Sequence, residues 1–386
     1  MHYAIVTETW PPEVNGVALT AHGLERGLRA RGHAVDVVRP RRRSERGAAH
    51  ERLVRSLPMP RYPGLRFGLP STGELLRTWS ATRPDAIYIA TEGPLGWSAL
   101  RAARRLGIAT ATGFHTRFDE YMRDYGAGLL APVALRWMRH FHNGADATLV
   151  PTTELGAFLT SQRFAKVARL ARAVDTGVFD PARRDPALRR KWGVDADGAG
   201  RPGLAAIHVG RIAPEKNLGL AVRAFRELQR RRPDARFVWV GDGPARAQLQ
   251  RENPDFVFCG VQRDDALARH FASADLFVFP SHSETFGNVT LEALASGVPT
   301  VAFDYGAARE HLRDGVHGAA LPAHDDEGFI AAVARIGGDD LLRDAMRLAG
   351  RGAVAGLRPE RVAADFDAIL RDLAQARRPR ASVATG

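Results

Sequence analysis

The chain has 386 residues, 45% hydrophobic and 25% charged, more than one hydrophobic core comfortably serves, so two ordinary globular domains are expected. Its formal charge of +12 suggests nucleic acid or anionic membrane, yet Lys166, Lys191 and Lys216 are the only lysines; the surplus is arginine, a mark of compositional bias, and no nucleic-acid-binding signature accompanies it. A single cysteine, Cys259, excludes an internal disulfide framework, no run of about 18 apolar residues offers a spanning helix, and residues 1–10 lack a signal-peptide layout, which together point to the cytoplasm.

In chain order, strand-like runs fall at 3–9, 34–40, 85–91, 108–116 and 147–152, with helical patterns between them such as 17–32, which stops at a glycine. The rhythm restarts in the second half with runs at 203–212, 236–243, 255–261, 276–282 and 299–306, alternating with helical stretches that include one opening after Gly287. Alternation of this kind predicts an α/β protein with parallel sheets and crossover helices. The expected division is 1–175 for a first Rossmann-like domain and 176–357 for a second. A last helix, 358–378, can cap either and is assigned to the first, and 379–386 reads as a disordered tail. The polar insert 193–203 reads as a surface loop.

Ligands of open α/β sheets sit beyond the carboxyl ends of strands, so four loops carry the functional reading. The first, Thr9–Val17 (TWPPEVNGV), is made rigid by two prolines and includes Gly16; its amides at 15–17 would face an incoming ligand, or it is a plain strand-to-helix connection. The second, 208–218 (HVGRIAPEKNL), sets Arg211 and Lys216 about a turn that opens a helix. A guanidinium fork and an ammonium point charge beside a helix N-terminus suit a diphosphate. The third, 240–249 (VGDGPARAQL), contains Gly241 and Gly243 but has Arg246 where a dinucleotide fingerprint needs its third glycine. It is weak as a dehydrogenase signal and is read as a glycine turn lining a nucleotide pocket.

The fourth loop, 283–297 (SETFGNVTLEALASG), follows the apolar run 276–280. Phe286 and Gly287 precede a helix whose first amides, at Asn288 and Val289, favour phosphate, and glycine permits close backbone approach. Two carboxylates flank this entrance, Glu284 before it and Glu292 about one turn in. A carboxylate accepts from paired hydroxyls, so one can hold a ribose and the other a second sugar. Taken singly, Glu292 is also a favourable charge near a helix start and Glu284 an exposed loop residue.

Taken together, ETWPPEVNGV (8–17), GFHTRFDEY (113–121), GRIAPEKNL (210–218), GDGP (241–244) and the glutamate pair with seven residues between resemble the retaining nucleotide-sugar glycosyltransferases of the GT-B fold, family four. The resemblance covers nearly the whole chain and is closest to lipid-directed members, the GDP-mannose-dependent α-mannosyltransferases and sulfoquinovosyl-diacylglycerol synthases. It implies two Rossmann-like domains facing a cleft. It implies that Glu284 meets the transferred hexose, Glu292 the ribose, Arg211 and Lys216 the diphosphate, Gly16 the phosphate and His115 the sugar. Phe286, Gly287, Asn288 and Val289, with Gly241 and Gly243, complete the donor side. The chain departs from the pattern at YGAARE (305–310), where relatives often carry two glycines and a proline, which bears on Glu310 and the sugar-side loop.

The donor expected is GDP-mannose, with a UDP-hexose second, and no further cofactor is called for. A retaining transfer lets the departing diphosphate take the acceptor's proton, leaving the protein to stabilise charge and align substrates. An Asp-x-Asp metal motif is absent from the strand ends, Asp195 and Asp197 lying in the polar insert, so no metal is expected. His115 reads otherwise as a buried histidine at a strand end; Arg117, Asp119 and Tyr121 are acceptor-side candidates. The acceptor expected is a lipid-linked or glycolipid hydroxyl, approached through an anionic membrane surface by Arg41–Arg43, Arg46 and the amphipathic stretch 126–146, where Leu129, Leu130, Val133, Trp137 and Phe141 share a side. Taken by itself, that stretch is more often a core-facing helix than a membrane-lying one. A nucleotide-sugar epimerase of the same architecture and a non-catalytic basic binding protein are the rival functions.

Overall fold

The computed structural model describes residues 1–13, 15–42, 45–58, 66–115, 131–194, 203–282, 284 and 286–377. Arg43, Arg117, Asp119, Tyr121, Leu129, Leu130, the Asp195–Asp197 pair and the expected tail 379–386 lie outside the described residues. Two compact units emerge, Met1–Arg172 with Pro359–Gly386, and Ala173–Arg358.

The strands are β1 (His2–Val6), β2 (Ala34–Pro40), β3 (Glu51–Val54), β4 (Ser56–Pro58), β5 (Arg66–Gly68), β6 (Ala86–Ile89), β7 (Ala109–Gly113), β8 (Ala147–Val150) and β9 (Val167–Arg169) in the first unit. The second unit holds β10 (Ala205–Val209), β11 (Arg236–Val240), β12 (Val257–Gly260), β13 (Leu276–Phe279), β14 (Thr300–Phe303) and β15 (Gly318–Leu321). The helices in chain order are α1 (Gly16–Ala30), α2 (Thr72–Ala81), α3 (Pro94–Leu106), α4 (Ala131–Asn143), α5 (Thr153–Ser161), α6 (Pro186–Lys191) and α7 (Leu218–Arg231). They continue as α8 (Arg246–Glu252), α9 (Asp264–Ser273), α10 (Asn288–Ala295), α11 (Gly306–His311), α12 (Asp326–Gly338), α13 (Asp340–Val354) and α14 (Pro359–Arg377).

The first unit is a parallel sheet in the order β3-β2-β1-β6-β7-β8-β9, with β4 and β5 forming a small antiparallel pair apart from it. Its strands are apolar on both sides because both faces are covered. Tyr3 and Ile5 of β1 join α1 and α14 through Leu24, Leu28, Phe366 and Leu370. The alternate residues Ala4 and Val6 join α2 and α3 through Leu75, Trp79, Leu95 and Leu100. Packing of α14 on α1 needs Gly27, where a Cβ would overlap that of Ala363. The buried Asp367 of α14 anchors it, accepting from Tyr3 at 2.8 Å and Arg31 at 3.1 Å. Burial alone would raise the Asp367 carboxyl, but the Tyr3, His33 and Arg31 bonds outweigh it and hold it below the ordinary value.

The second unit is a parallel sheet in the order β12-β11-β10-β13-β14-β15. Ile207, Phe277 and Phe279 face Phe271, Leu291 and Leu294; Ala206, Leu276 and Val278 face Leu220, Phe225, Phe329 and Val333. In both sheets the strand order reverses, beside β1 in one and β10 in the other, and such reversals open a crevice at the carboxyl ends. The sequence patterns missed the small β4–β5 pair and, in the two main sheets, β3, β9 and β15. The last three are edge strands of three or four residues, and a strand with one open edge needs little of the apolar run that marks a central one.

Candidate active site

At the reversal in the second unit, two glycine loops interlock. Ile212 N–H donates to Asp242 O at 2.9 Å and Ala245 N–H to Ile212 O at 3.1 Å. A Cβ on Gly241, whose φ is +138°, would overlap the carbonyl of Gly210, and one on Gly243 the carbonyl of Ile212. The GDGP turn expected to line a nucleotide is thus, on the side where a Cβ would stand, a junction of backbone on backbone.

That junction holds the turn Pro214–Lys216 and leads through Asn217, in the left-handed region at φ +52°, into α7. The Lys216 ammonium is ion-paired to Glu284 Oε1, and Ser281 Oγ donates to the same oxygen at 3.1 Å. Tyr305 O–H in turn donates to Ser281 O. Asn217 Nδ2 donates to His282 Nε2 at 2.9 Å, and the His282 ring stacks on Phe303 at 4.4 Å. Two loops that the chain separates widely are therefore tied at the ends of β10 and β13. Arg211 stays half-exposed, with Glu215 at 3.4 Å.

Gly287, at φ +88°, turns the chain into α10. The amides of Asn288 and Val289 come before any intrahelical acceptor, while that of Thr290 donates to Gly287 O at 3.0 Å. Phe286 is buried and its carbonyl accepts from Ala307 N at 2.7 Å. Gly306, at φ +57°, leaves room for that carbonyl, so YGAARE keeps the glycine that the geometry requires. Glu292 and Asn288 each carry an oxygen, Oε2 and Oδ1, closed off from solvent without a hydrogen-bond partner among the described residues. Burial pushes the Glu292 carboxyl up to about 7. Phe279, Ser281, Glu284, Phe286, Thr290 and Tyr305 line a small pocket beside this entrance. Val289 lies one residue into the helix.

The remaining candidates belong to the first unit. Gly16 opens α1, but the adjacent Val17 amide, expected to face a ligand, is taken by the Asn15 side chain at 3.1 Å, as is Ala18 at 2.9 Å. This is a helix cap. Arg42, expected among free surface arginines, donates to Trp10 O and Pro11 O and pairs with Glu13 at 3.0 Å. It braces the loop, because a guanidinium fork satisfies several carbonyls that the turn leaves open.

His115 accepts at Nδ1 from Arg172 Nη2 at 2.5 Å, and its Nε2 lies 2.9 Å from the Tyr88 hydroxyl. A guanidinium only donates, so the proton sits on Nε2 and Tyr88 oxygen accepts it. Burial first, and Arg172 second, hold the His115 pKa well below its ordinary value, so the ring stays neutral. Gly113 leaves the space, since a Cβ there would overlap both Tyr88 and His115.

Sequence reasoning passed over two carboxylates in this unit. Glu8, after β1, accepts from Gly68 N at 2.5 Å and Leu95 N at 3.0 Å, thereby capping α3. Glu92, after the adjacent β6, is 7% exposed and its Oε1 has no partner among the described residues. Burial pushes both up to about 7, and the charge of Glu8 raises Glu92 further. The signal was present in Glu92-Gly-Pro at a strand end, a glutamate opening a helix entrance.

Comparison with known proteins bears on the family and the fold. Residues 14–178 match the family described as Glycosyltransferase Family 4, and residues 204–339 that of Glycosyl transferases group 1. The GDP-mannose-dependent alpha-mannosyltransferase of Mycolicibacterium smegmatis is 37% identical over 341 residues, 86% of this chain and 87% of that one. The alpha-monoglucosyldiacylglycerol synthase of Streptococcus pneumoniae is 27% identical over 349 residues, 86% of this chain and 77% of that one. Among solved structures, sucrose-phosphate synthase from Thermosynechococcus elongatus superposes with a TM-score of 0.77 at 19% identity, covering 97% of this chain and 99% of that one. Two parallel-sheet units of this kind are the GT-B architecture, and the chain belongs to the group 1, family 4 glycosyltransferases.

Proposed function

We propose that the protein transfers mannose from GDP-mannose, with retention of configuration and without a metal, onto a hydroxyl of a lipid-linked or glycolipid acceptor. The observation that carries this reading is the convergence of Lys216, Glu284 and the N-terminus of α10 at the carboxyl ends of β10 and β13. A cation and a helix N-terminus suit a diphosphate whose charge grows as the sugar leaves. Arg211, half-exposed in the same loop, supplies a second cation, so the reading needs no metal to neutralise the leaving group. Glu292 offers a buried carboxylate oxygen to ribose hydroxyls, and Glu284 offers one to the hexose. A neutral His115 with both ring nitrogens engaged is a fixed wall and not a base; the leaving diphosphate then takes the acceptor's proton.

The donor follows the relatives named as GDP-mannose-dependent, and the lipid acceptor follows the diacylglycerol synthase relative. Among the described residues no helix is long and apolar enough to cross a membrane. Helix α4 instead leaves Val133 65% and Trp137 44% exposed, beside Arg136 and His140, while Met138 and Phe141 enter the core. The row expected to share one side therefore divides, its outer half suiting a peripheral membrane contact.

A thermal-shift panel of GDP-, UDP- and ADP-sugars tests the donor, since a ligand at a hundred times its dissociation constant adds about 2.7 kcal/mol. GDP-mannose alone is expected to respond, and mannose transfer with an α-anomeric product by NMR completes the test. A response to UDP-glucose without one to GDP-mannose would overturn the donor. Epimerised donor in the absence of acceptor would overturn the transferase mechanism.

A further inference from the structure

Four arginines among the described residues are at least nine-tenths buried: Arg39, Arg172, Arg189 and Arg343, at 3, 9, 8 and 6% exposure. Arg39 is held by Glu45 at 2.7 Å and Glu51 at 2.8 Å, Arg189 by Asp275 at 2.8 Å, and Arg343 by Asp340 and two backbone carbonyls. Arg172 has no carboxylate among the described residues. Among those residues its hydrogen bond is the one from Nη2 to the neutral His115. A guanidinium buried with no counter-charge among the described residues is costly to desolvate, and those residues use one of its five donors.

Its position suggests what partner it would take. Arg172 lies three residues beyond β9, His115 two beyond β7, and Tyr88 in β6. The cluster therefore lies at the carboxyl ends of a parallel sheet, where ligands of such sheets bind. Arg211 and Lys216, the cations assigned to the donor diphosphate, belong to the other unit.

We propose that Arg172 binds an oxyanion, a phosphate or a carboxylate, carried by the substrate that the first unit holds. Assigning that substrate as the acceptor rests on the glycosyl-transfer reading above; the anion site does not. The acceptor is then an acidic lipid or glycolipid, with its charge close to His115.

The test uses the full-length protein saturated with GDP, so that the donor site is filled, and reads thermal shift on adding inorganic phosphate or sodium acetate against sodium chloride at equal ionic strength. Phosphate or acetate is expected to raise the Tm of the wild type beyond the chloride control, the larger response naming the oxyanion. Arg172→Met should weaken that response at least tenfold without lowering the starting Tm, because the uncompensated charge is gone, while Arg172→Lys keeps part of it. Both variants should bind GDP as the wild type does. No oxyanion response in the wild type, an undiminished one in Arg172→Met, or a lowered starting Tm in Arg172→Met would overturn the site. Weaker GDP binding by Arg172→Met would place the donor diphosphate there and overturn the acceptor assignment. If the wild type does not bind GDP at all, the donor reading fails by itself, and the same phosphate and acetate titrations without nucleotide decide Arg172.

Discussion

Lys216 and Glu284 form an ion pair across 68 residues of sequence, joining the loop after β10 to the loop after β13. Both partners are mostly shielded from solvent, and both are assigned to the donor, so ligand binding has to exchange this pair for contacts with phosphate and sugar. Glu284→Ala therefore frees the ammonium. Nucleoside diphosphate affinity should hold or tighten by up to about tenfold, since a competing carboxylate is removed. Transfer should fall by about 10²–10³-fold for want of the group that orients the hexose. Calorimetry with GDP beside steady-state rates checks this, and a weakened GDP complex would place Glu284 at the nucleotide.

On the proposed ribose contact, Glu292 should set a pH dependence on donor binding. Burial raises its carboxyl to about 7, so below that pH the free protein holds it protonated and one ribose acceptor is weakened. GDP affinity should rise between pH 6 and 8 and level off above. Glu292→Gln should abolish this slope and weaken binding by about 1–3 kcal/mol at pH 8. A wild-type affinity that is flat over this range would separate Glu292 from the nucleotide.

The Glu8–Glu92 pair sets a pH dependence on stability. Both carboxyls are raised from 4.5 to about 7, chiefly by burial, so the folded state holds more protons than the unfolded chain between those values. The stability that the neutral form contributes is full below about pH 4.5 and is lost as pH rises through about 7. Glu8, with two backbone donors, is the member that takes the charge, and Glu92, with an unpartnered oxygen, keeps the proton. Glu92→Gln mimics that protonated state and should stabilise the protein by about 1–3 kcal/mol at pH 8 and by little at pH 5. Urea midpoints at the two values measure the difference. Glu292 acts in the same sense, so part of the wild-type slope should persist in the variant.

Membrane association, if it runs through α4, should respond to Trp137→Ala and Arg136→Glu. Binding to anionic vesicles should fall by about 1 kcal/mol for the lost charge, fade with added salt, and leave transfer to a short soluble acceptor intact. Charge reversal at Arg42 is not a clean test, because that side chain braces the loop through Trp10, Pro11 and Glu13. Vesicle flotation at low and high salt provides the readout. Equal flotation of wild type and double variant would move the contact elsewhere.

Buried parallel strands must be apolar on both faces, so runs such as Leu276–Phe279 and Ala205–Val209 and the helices between them stand out in the primary structure, and with them the two-sheet α/β class. Local chemistry was legible for the same reason. Arg211 and Lys216 lie in the turn between β10 and α7, and Gly287 and Glu292 at the entrance and second turn of the helix after β13, so a turn and a helix entrance dictate their surroundings. Only the tertiary structure decided which loops are neighbours. Periodicity states which face a strand buries but not which strand lies beside it, and it is the order β11-β10-β13 that brings Lys216 to Glu284. In the other sheet the placing of β6 beside β1 brings Glu92 to Glu8, and the run from β7 to β9 brings Arg172 to His115 across 57 residues. Charge state was likewise out of reach of the residue list. Burial and partners decide whether a carboxyl holds its proton, and both come from packing between segments far apart in the chain.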